Sequence, residues 1–249
     1  MLYATGDTHG NWIRLNTDSF PEQSDMTKED YVMILGDFGI WDDSQRENYW
    51  FYWLNNKPWT TLFIDGNHEN FDLLDTYPVH KWKGGKVHKI RPNVIHLMRG
   101  QVFNIDGKKI FTFGGARSHD IQDGILEPAD PDFVRKRREL DARYAMYRIN
   151  HRTWWERELP SQTEMLEGLN NLDKHNWKVD YILTHCPSTI TLREMDAGKE
   201  VYLSDHLTDY LHSISDKCTY KAWLFGHMHE NKKVTDKHYC LYEQIVQIW

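Results

Sequence analysis

Acidic, imidazole and amide side chains follow five short apolar stretches of this sequence. They lie in five motifs, which are GDTHGN (6–11), ILGDFG (34–39), IDGNHEN (64–70), YILTHCPS (181–188) and LFGHMHE (224–230). Each apolar stretch predicts a buried strand, and each polar cluster lies on the loop that leaves it. In open α/β sheets the ligand site lies outside the carboxyl ends of the strands, so five such loops can converge on one place. The pattern predicts a metal centre.

The candidate ligands of this centre are oxygen and nitrogen donors. They are Asp7, His9, Asp37, Asn67, His185, His227 and His229. Seven donors are too many for one ion with open positions and suit two ions about 3.5–4 Å apart, which need a bridging ligand such as a single carboxylate. The mixed donor set favours manganese, iron, zinc, cobalt or nickel over calcium or a thiolate zinc site. We expect His68, next to Asn67, to point towards a substrate instead.

Each motif has a simpler interpretation when it is taken alone. An isolated Asp-x-His is more often a turn with a solvated histidine, Asp37 could cap a helix, and Asn67 could lie in a hairpin turn. No second strand follows Asn67 at once, as a hairpin would require. A carboxylate after a buried strand is also costly unless it is paired or bound to a metal. Together the motifs favour the metal centre.

Composition limits the class of protein. A net charge of −7 argues against a broad nucleic-acid-binding surface, but a nucleotide substrate stays open because divalent metals reverse the local field. Three scattered cysteines fit a reducing compartment. The first strand begins at Leu2 and leaves no room for a signal peptide, and no apolar run approaches the roughly 20 residues of a membrane helix. We therefore expect a soluble cytoplasmic protein.

The order of elements predicts an α/β fold in a single domain over residues 1–249. The main strands are expected at 2–5, 31–35, 60–64, 94–98, 179–184 and 220–225. Helices are expected at 12–20, 44–56, 132–149, 161–175 and 205–214. Residues 77–115 alternate in short strands, including a hairpin at Asp106-Gly107, and predict a second, more antiparallel sheet packed on the first.

Residues 120–160 are the least sheet-like part of the chain. We expect them to form a helical insertion. Trp154 and Trp155 could place it as a cap over the site, but ordinary anchoring of the insertion to the core is the preferred interpretation of these two residues. Its basic cluster, 135–138, is interleaved with acidic residues, which indicates a solvated helix face more than a nucleic-acid patch. Just before the insertion, Arg117 and His119 leave a strand, where they could contact a phosphate or simply carry surface charge.

The order of the five motifs resembles that of the calcineurin-like binuclear metallophosphoesterase superfamily, over nearly the whole chain. The resemblance implies a four-layer α/β/β/α sandwich, in which two sheets are flanked by helices. It also implies a division of the ligands between two divalent ions, with manganese the best suited to activity in vitro. One ion would be held by Asp7, His9 and His229, the other by Asn67, His185 and His227, and Asp37 would bridge them.

The same resemblance implies that the protein hydrolyses phosphate esters. A metal-bridging hydroxide would attack phosphorus in line with the leaving oxygen. His68, which the family does not use as a metal ligand, would contact the substrate and protonate that oxygen. Glu69 would help to keep His68 protonated.

Departures from the family pattern narrow the predicted activity. Ser/Thr protein phosphatases of the superfamily have one arginine in GDxxDRG and another shortly after GNHE, and both are absent from GDFGIWD (36–42) and the segment 70–72. This favours a phosphodiesterase or a small-molecule phosphatase over a Ser/Thr-type protein phosphatase. A non-catalytic scaffold on the same fold is the other alternative, and it is disfavoured because His68 and all seven ligands are present. The sequence does not indicate the natural substrate or the oligomeric state.

Overall fold

The structure is a computed structural model that describes residues 1–197 and 203–249. The strands are β1 (Leu2–Thr5), β2 (Tyr31–Leu35), β3 (Thr60–Ile64), β4 (Val79–Trp82), β5 (Gly85–Arg91), β6 (Val94–Leu97), β7 (Gln101–Ile105), β8 (Lys108–Phe113), β9 (Ile125–Leu126), β10 (Arg148–Ile149), β11 (Tyr181–Thr184), β12 (Ala222–Phe225), β13 (Lys232–Lys233), β14 (His238–Cys240) and β15 (Val246–Gln247). The α-helices are α1 (Gln45–Asn55), α2 (Phe71–Leu74), α3 (Phe133–Ala142), α4 (Gln162–Lys174), α5 (Thr189–Met195) and α6 (His206–Lys217). Short 3₁₀ turns lie at Ile13–Leu15, Pro21–Asp25 and Glu156–Glu158.

The strands form two main sheets. The first has seven strands in the order β15-β1-β2-β3-β6-β5-β4, and the second has six in the order β13-β14-β12-β11-β8-β7. Strands β1, β2, β3 and β6 run parallel to one another, as do β8, β11, β12 and β14. Strands β9 and β10 form a separate parallel pair. Parallel neighbours bring their carboxyl ends to one edge, where the loops with the predicted ligands begin.

Side chains alternate between two faces along each strand, and this alternation creates three cores. In β2, Val32 and Ile34 pack with α1 and α2, whereas Met33 and Leu35 pack between the two sheets. A third cluster joins the second sheet to helices α4, α5 and α6, with Ile182 of β11 at its centre. Three cores separate four layers, so the predicted four-layer α/β/β/α arrangement is confirmed.

Helix boundaries follow the capping residues of the sequence. The Ser44 side chain accepts a hydrogen bond from the Glu47 backbone N–H at 3.2 Å at the start of α1. Ser161 and Glu164 form a reciprocal capping box at the start of α4. The helices predicted at 44–56 and 161–175 are therefore confirmed. Both could be predicted because each capping residue lies next to the helix that it begins.

The predicted second sheet over residues 77–115 is partly wrong. Strands β4, β5 and β6 extend the first sheet, where β6 pairs in parallel with β3, and only β7 and β8 belong to the second. The hairpin at Asp106 joins β7 to β8 as predicted. Local alternation identifies a strand but does not identify its neighbours, because pairing depends on the packing of distant segments.

Two predicted helices are shorter in the structure. The segment 12–20 contains only the 3₁₀ turn at Ile13–Leu15, and the segment 132–149 is helical only over α3. After α3 the chain leaves the helical conformation at Tyr144, whose φ is 53°. Helix α3 lies wholly within the described chain and has no buried residue. Its charges pair along its own surface, as Arg135 does with Glu139, which agrees with a solvated helix face.

Among the described residues, no helix combines the length and the apolar character that membrane crossing requires.

Candidate metal centre

Both sheets contribute to one site at the carboxyl ends of their parallel strands. Asp7 and His9 follow β1, Asp37 follows β2 and Asn67 follows β3 of the first sheet. The other three predicted histidines, His185, His227 and His229, follow β11 and β12 of the second sheet. Four of the seven residues adopt a left-handed backbone, with φ of 45° at His9, 44° at Asp37, 64° at His227 and 51° at His229. Such angles are uncommon outside glycine and concentrate at functional sites.

Asp7, His9 and His229 form what we call the open cluster, next to Asp37. One donor atom from each of these four residues lies within 4.8 Å of the others. The Nε2 atoms of His9 and His229 are 3.0 Å apart, and His229 Nε2 is 3.0 Å from Asp7 Oδ2. His9 Nε2 lies 3.7 Å from Asp37 Oδ2. These residues could hold one ion.

Asn67, His185 and His227 form the buried cluster on the other side of Asp37. His185 Nε2 is 3.2 Å from Asn67 Oδ1 and 3.6 Å from Asp37 Oδ1. The ring centroids of His185 and His227 are 5.0 Å apart. Asp37 therefore presents Oδ2 to the open cluster and Oδ1 to the buried one, as a bridging carboxylate would.

The donor atoms fit divalent cations. Asp7 Oδ2 is buried and accepts no hydrogen bond from any described residue, although His229 Nε2 lies close to it without hydrogen-bond alignment. A buried carboxylate oxygen without a donor is costly unless a cation compensates it. The Nε2 atoms of His9 and His229 also face each other at 3.0 Å. An ion beside them could accept a lone pair from each nitrogen.

Hydrogen bonds to the protein orient the ligand atoms of the buried cluster. His185 Nδ1 donates to the Leu35 carbonyl at 2.7 Å, which leaves Nε2 free towards Asp37. The Asn67 amide donates to Ser118 Oγ at 3.1 Å, so that Oδ1 faces His185. Gly36, at φ 98°, makes room for this arrangement, because a Cβ atom there would overlap His185 Nδ1.

Electrostatics favour the ligating protonation states of Asp7 and His227, whereas the contact with Asp7 raises the pKa of His229 and favours its protonated form when no metal is bound. Burial alone would raise the pKa of Asp7, but the charge of His185 and the contact with His229 lower it to about 2. Burial, helped by His185, lowers the pKa of His227 to about 3. At neutral pH Asp7 is therefore ionised and His227 is neutral, and these are their ligating forms.

His68 is not among the residues whose donor atoms lie together in the open cluster, although its ring centroid is 5.6 Å from that of His9. Its backbone N–H donates to Asp37 Oδ1 at 2.8 Å. Trp41 Nε1 donates to the His68 carbonyl at 3.0 Å. Burial lowers the pKa of His68, Asp37 opposes this change, and Arg148 adds to it. The free site therefore favours neutral His68, and an anionic substrate nearby would raise its pKa again.

Glu69 has a role different from the predicted assistance to His68. Its fully buried carboxylate accepts hydrogen bonds from the backbone N–H groups of Phe38 at 2.6 Å, Gly39 at 3.1 Å and Ile40 at 3.1 Å. These bonds hold the loop that follows Asp37. Glu69 therefore supports the backbone next to Asp37, and no hydrogen bond joins its carboxyl group to the His68 ring among the described residues.

A cleft of about 820 Å³ opens over the centre, and its wall includes Asp37, Asn67 and His68. Arg117 and His119 also lie on its wall, and both are exposed. A smaller cleft of about 450 Å³ lies beside it. His68 lines both clefts, so it stands where they meet.

Two supporting contacts were not predicted from the sequence. Ser118, which accepts the bond from Asn67, donates from its hydroxyl to Glu158 at 2.5 Å. The Tyr242 ring stacks on His229 with a centroid distance of 4.5 Å and an interplanar angle of 16°. No local pattern marks these residues, because they lie outside the motifs and far from their partners in the chain.

The sequence matches a known protein family, and the chain has a distant likeness to a solved structure. No curated protein matches the sequence. Among solved structures, the phosphopantetheinyl hydrolase PptH from Mycobacterium tuberculosis superposes with a TM-score of 0.43 at 14% identity, over 97% of this chain and 87% of that chain. The profile of the calcineurin-like phosphoesterase family matches residues 2–231. The chain therefore belongs to the calcineurin-like phosphoesterase family and is a hydrolase that acts on phosphoester bonds.

Proposed function

We propose that this phosphoesterase is a binuclear, metal-dependent phosphodiesterase that acts on small molecules. The observation that supports this proposal best is the position of His68 on the walls of both clefts. Asp37 lines the larger cleft and His68 lines both, so a phosphorus atom bound between Asp37 and His68 would be within reach of both clefts. A phosphodiester has two ester groups to place in two clefts, whereas a monoester has only one.

In this proposal the ligands divide as the two clusters do. Asp7, His9 and His229 hold one divalent ion, and Asn67, His185 and His227 hold the other. Asp37 contacts both, through its two carboxylate oxygens. Bound ions would supply Lewis-acid activation of water and would neutralise charge on the phosphate oxygens.

His68 is the proton donor to the leaving oxygen in this proposal. Its backbone is held by Asp37 and by the Trp41 indole, so that the ring keeps its place between the two clefts. Its lowered pKa in the free site would rise on approach of the anionic substrate. A histidine protonated in this way can give its proton to the departing alkoxide.

The charges on the cleft walls favour a diester over a dianionic monoester. Arg148 is neutralised by its ion pair with Asp120. Arg117 is exposed, and no arginine of the phosphatase motifs is present. Arg152 forms no ion pair among the described residues, but it lines only the smaller cleft and not the larger one that contains Asp37. A monoanionic diester needs fewer positive partners than a phosphomonoester dianion. The same lack of arginines argues against the Ser/Thr-type protein phosphatase.

The segment 120–160, which we propose caps the centre, contributes to both clefts. Ile121 and Gln122 line the larger cleft, and Arg148, Arg152 and Trp155 line the smaller one. In this proposal the side chains of the segment determine which ester groups of the substrate fit into each cleft.

The decisive assay compares bis(4-nitrophenyl) phosphate with 4-nitrophenyl phosphate, using protein loaded with Mn²⁺. We expect kcat/KM for the diester to exceed that for the monoester by about tenfold or more. Activity should be lost with EDTA and restored by Mn²⁺. A monoester preference would contradict the diester assignment, and metal binding without any turnover would support the scaffold alternative.

His68→Ala tests the proton donor. Loss of a general acid costs about 10²–10⁴-fold, and the loss should be larger for an alkyl diester than for a nitrophenyl diester, because nitrophenolate leaves without protonation. His80→Ala, at an exposed histidine of β4, is the control. An equal loss on both substrates would contradict the general-acid role.

A further inference from the structure

The smaller cleft has two walls of different character. Its lining residues are His9, Trp41, His68, Arg148, Arg152, Thr153 and Trp155. Trp41 contributes an aromatic surface, and the segment 148–155 contributes what we call the second wall, made of Arg148, Arg152, Thr153 and Trp155. The volume of about 450 Å³ lies in the range of small-molecule sites, which is about 300–1,000 Å³.

Trp41 is exposed but held in place. The relative exposure of this residue is 46%, although its indole N–H donates to the His68 carbonyl and its own carbonyl accepts from the Asn70 amide at 2.6 Å. The six-membered ring also lies against Gly10, where an added Cβ atom would be 2.9 Å from it. A fixed, exposed indole beside the reacting group is a stacking surface for a planar ring.

The second wall is anchored as well. Trp155 Nε1 donates to Asp72 Oδ2 at 2.7 Å, and His151 Nδ1 lies 2.7 Å from the same oxygen. Asp72 belongs to α2, directly after the loop that carries Asn67 and His68. The wall is therefore tied to the metal centre, and the width of the cleft is set by the fold.

Among the described residues of the second wall, Arg152 has a positive charge that is not paired with a carboxylate. Within residues 1–197 and 203–249 it forms no ion pair, whereas Arg148 pairs with Asp120 and Arg143 with Asp123 at 2.9 Å. Its guanidinium carbon lies 5.7 Å from the centre of the Phe133 ring, which leaves the donor groups available to an anion.

We propose that the smaller cleft binds one ester group of the substrate, and that this group is a nucleotide. The base stacks on Trp41, and a second phosphate, remote from the scissile one, pairs with Arg152. This inference rests on the proposed phosphodiesterase function and narrows its substrates to phosphodiesters with a nucleotide that carries a terminal phosphate. Arg152 is then a residue that determines specificity and takes no part in bond cleavage.

Two dinucleotides test this directly, because pApA differs from ApA only in the terminal 5′ phosphate. With the full chain loaded with Mn²⁺ at low salt, we expect kcat/KM for pApA to be about tenfold above that for ApA. Arg152→Ala should reduce this ratio to about one, and Arg152→Lys should keep part of it. The ratio should also fall as salt is added, because an exposed ion pair is screened.

Arg138→Ala is the matched control, because Arg138 is an exposed arginine of α3 that does not line the cleft. It should leave the ratio unchanged. The stacking surface is tested separately with Trp41→Phe, which keeps a ring, and Trp41→Leu, which does not. Both variants lose the hydrogen bond to the His68 carbonyl, so a difference between them measures the contribution of the aromatic ring. We expect a lower kcat/KM for the dinucleotides in the Leu variant than in the Phe variant.

The outcomes separate the inference from the function on which it rests. If bis(4-nitrophenyl) phosphate is hydrolysed but the two dinucleotides react equally, or if Arg152→Ala leaves the ratio at its wild-type value, this inference alone is overturned. If no diester is hydrolysed by the metal-loaded protein, the proposed function fails and the inference fails with it.

Discussion

The two clusters of the metal centre use similar donors but differ in their surroundings. In the buried cluster the side chain of His185 has no exposed surface and Asn67 is buried, while His227 is partly exposed. In the open cluster Asp7 is buried, but the side chains of His9 and His229 are 32% and 47% exposed. The buried cluster is oriented by hydrogen bonds to Leu35 and Ser118, whereas His229 is stacked on Tyr242.

This difference has a physical reason. A buried imidazole or amide cannot be left without partners, because water does not reach it, so each polar atom needs a hydrogen bond or an ion. An exposed histidine can return to water when its ion leaves. We therefore expect the buried cluster to be preorganised and the open cluster to exchange its ion more readily.

The largest effect is expected at the residue that the clusters share. Asp37→Asn removes the charge between the two ions and should lower kcat/KM for the diester by about 10³-fold or more, which is about 4 kcal/mol. Asp18→Asn, at an exposed carboxylate, is the control and should keep full activity. Full activity in the Asp37 variant, with the protein folded by circular dichroism, would rule out a shared bridging ligand.

Stability should separate the clusters when no metal is present. His185→Ala leaves a cavity and the Leu35 carbonyl without its donor, and should lower the free energy of unfolding by about 2–3 kcal/mol. His229→Ala, at a half-exposed side chain, should cost less than about 1 kcal/mol. Thermal denaturation in EDTA measures both variants. Equal losses would show that burial is not what distinguishes the clusters.

Ser118→Ala tests how the buried cluster is oriented. The Asn67 amide would lose its acceptor and its fixed orientation, and loss of such an outer partner lowers metal affinity by about 10–100-fold. Calorimetric titration with Mn²⁺ should show weaker binding of one ion and unchanged binding of the other. Ser24→Ala, at an exposed serine, is the control. Weakening of both ions by the same factor would contradict a role confined to the buried cluster.

The smallest effect is expected at the open cluster. Tyr242→Leu removes the ring stacked on His229 and should weaken binding of the ion there by about threefold, since such ring pairs are worth about 0.5–1.5 kcal/mol. Tyr242→Phe keeps the ring and should bind as the wild type does. If Tyr242→Leu weakened metal binding more than Ser118→Ala does, the orienting contacts would matter more in the open cluster than in the buried one, which would contradict this proposal.

Much of the fold could be predicted because its central strands are buried on both faces. The runs at 2–5, 31–35 and 60–64 have the predicted bounds, since a continuous apolar run between turns leaves little choice. Strands β4 and β5 lie within 77–115, where short strands were predicted without individual bounds, and β4 has no buried residue that would give it a clear pattern. The single-domain organisation and the cytoplasmic location stay predictions.

The sequence alone predicts which donors the proposed centre has and the order in which they come, because each lies in a motif directly after a strand. Which atoms of these donors face one another depends on the tertiary structure. Asn67 is oriented by Ser118, 51 residues away, and Ser118 by Glu158, another 40 residues on. The smaller cleft likewise exists only where Trp41 and the segment 148–155 meet. Contacts of this range depend on how the layers pack, and no local pattern encodes them.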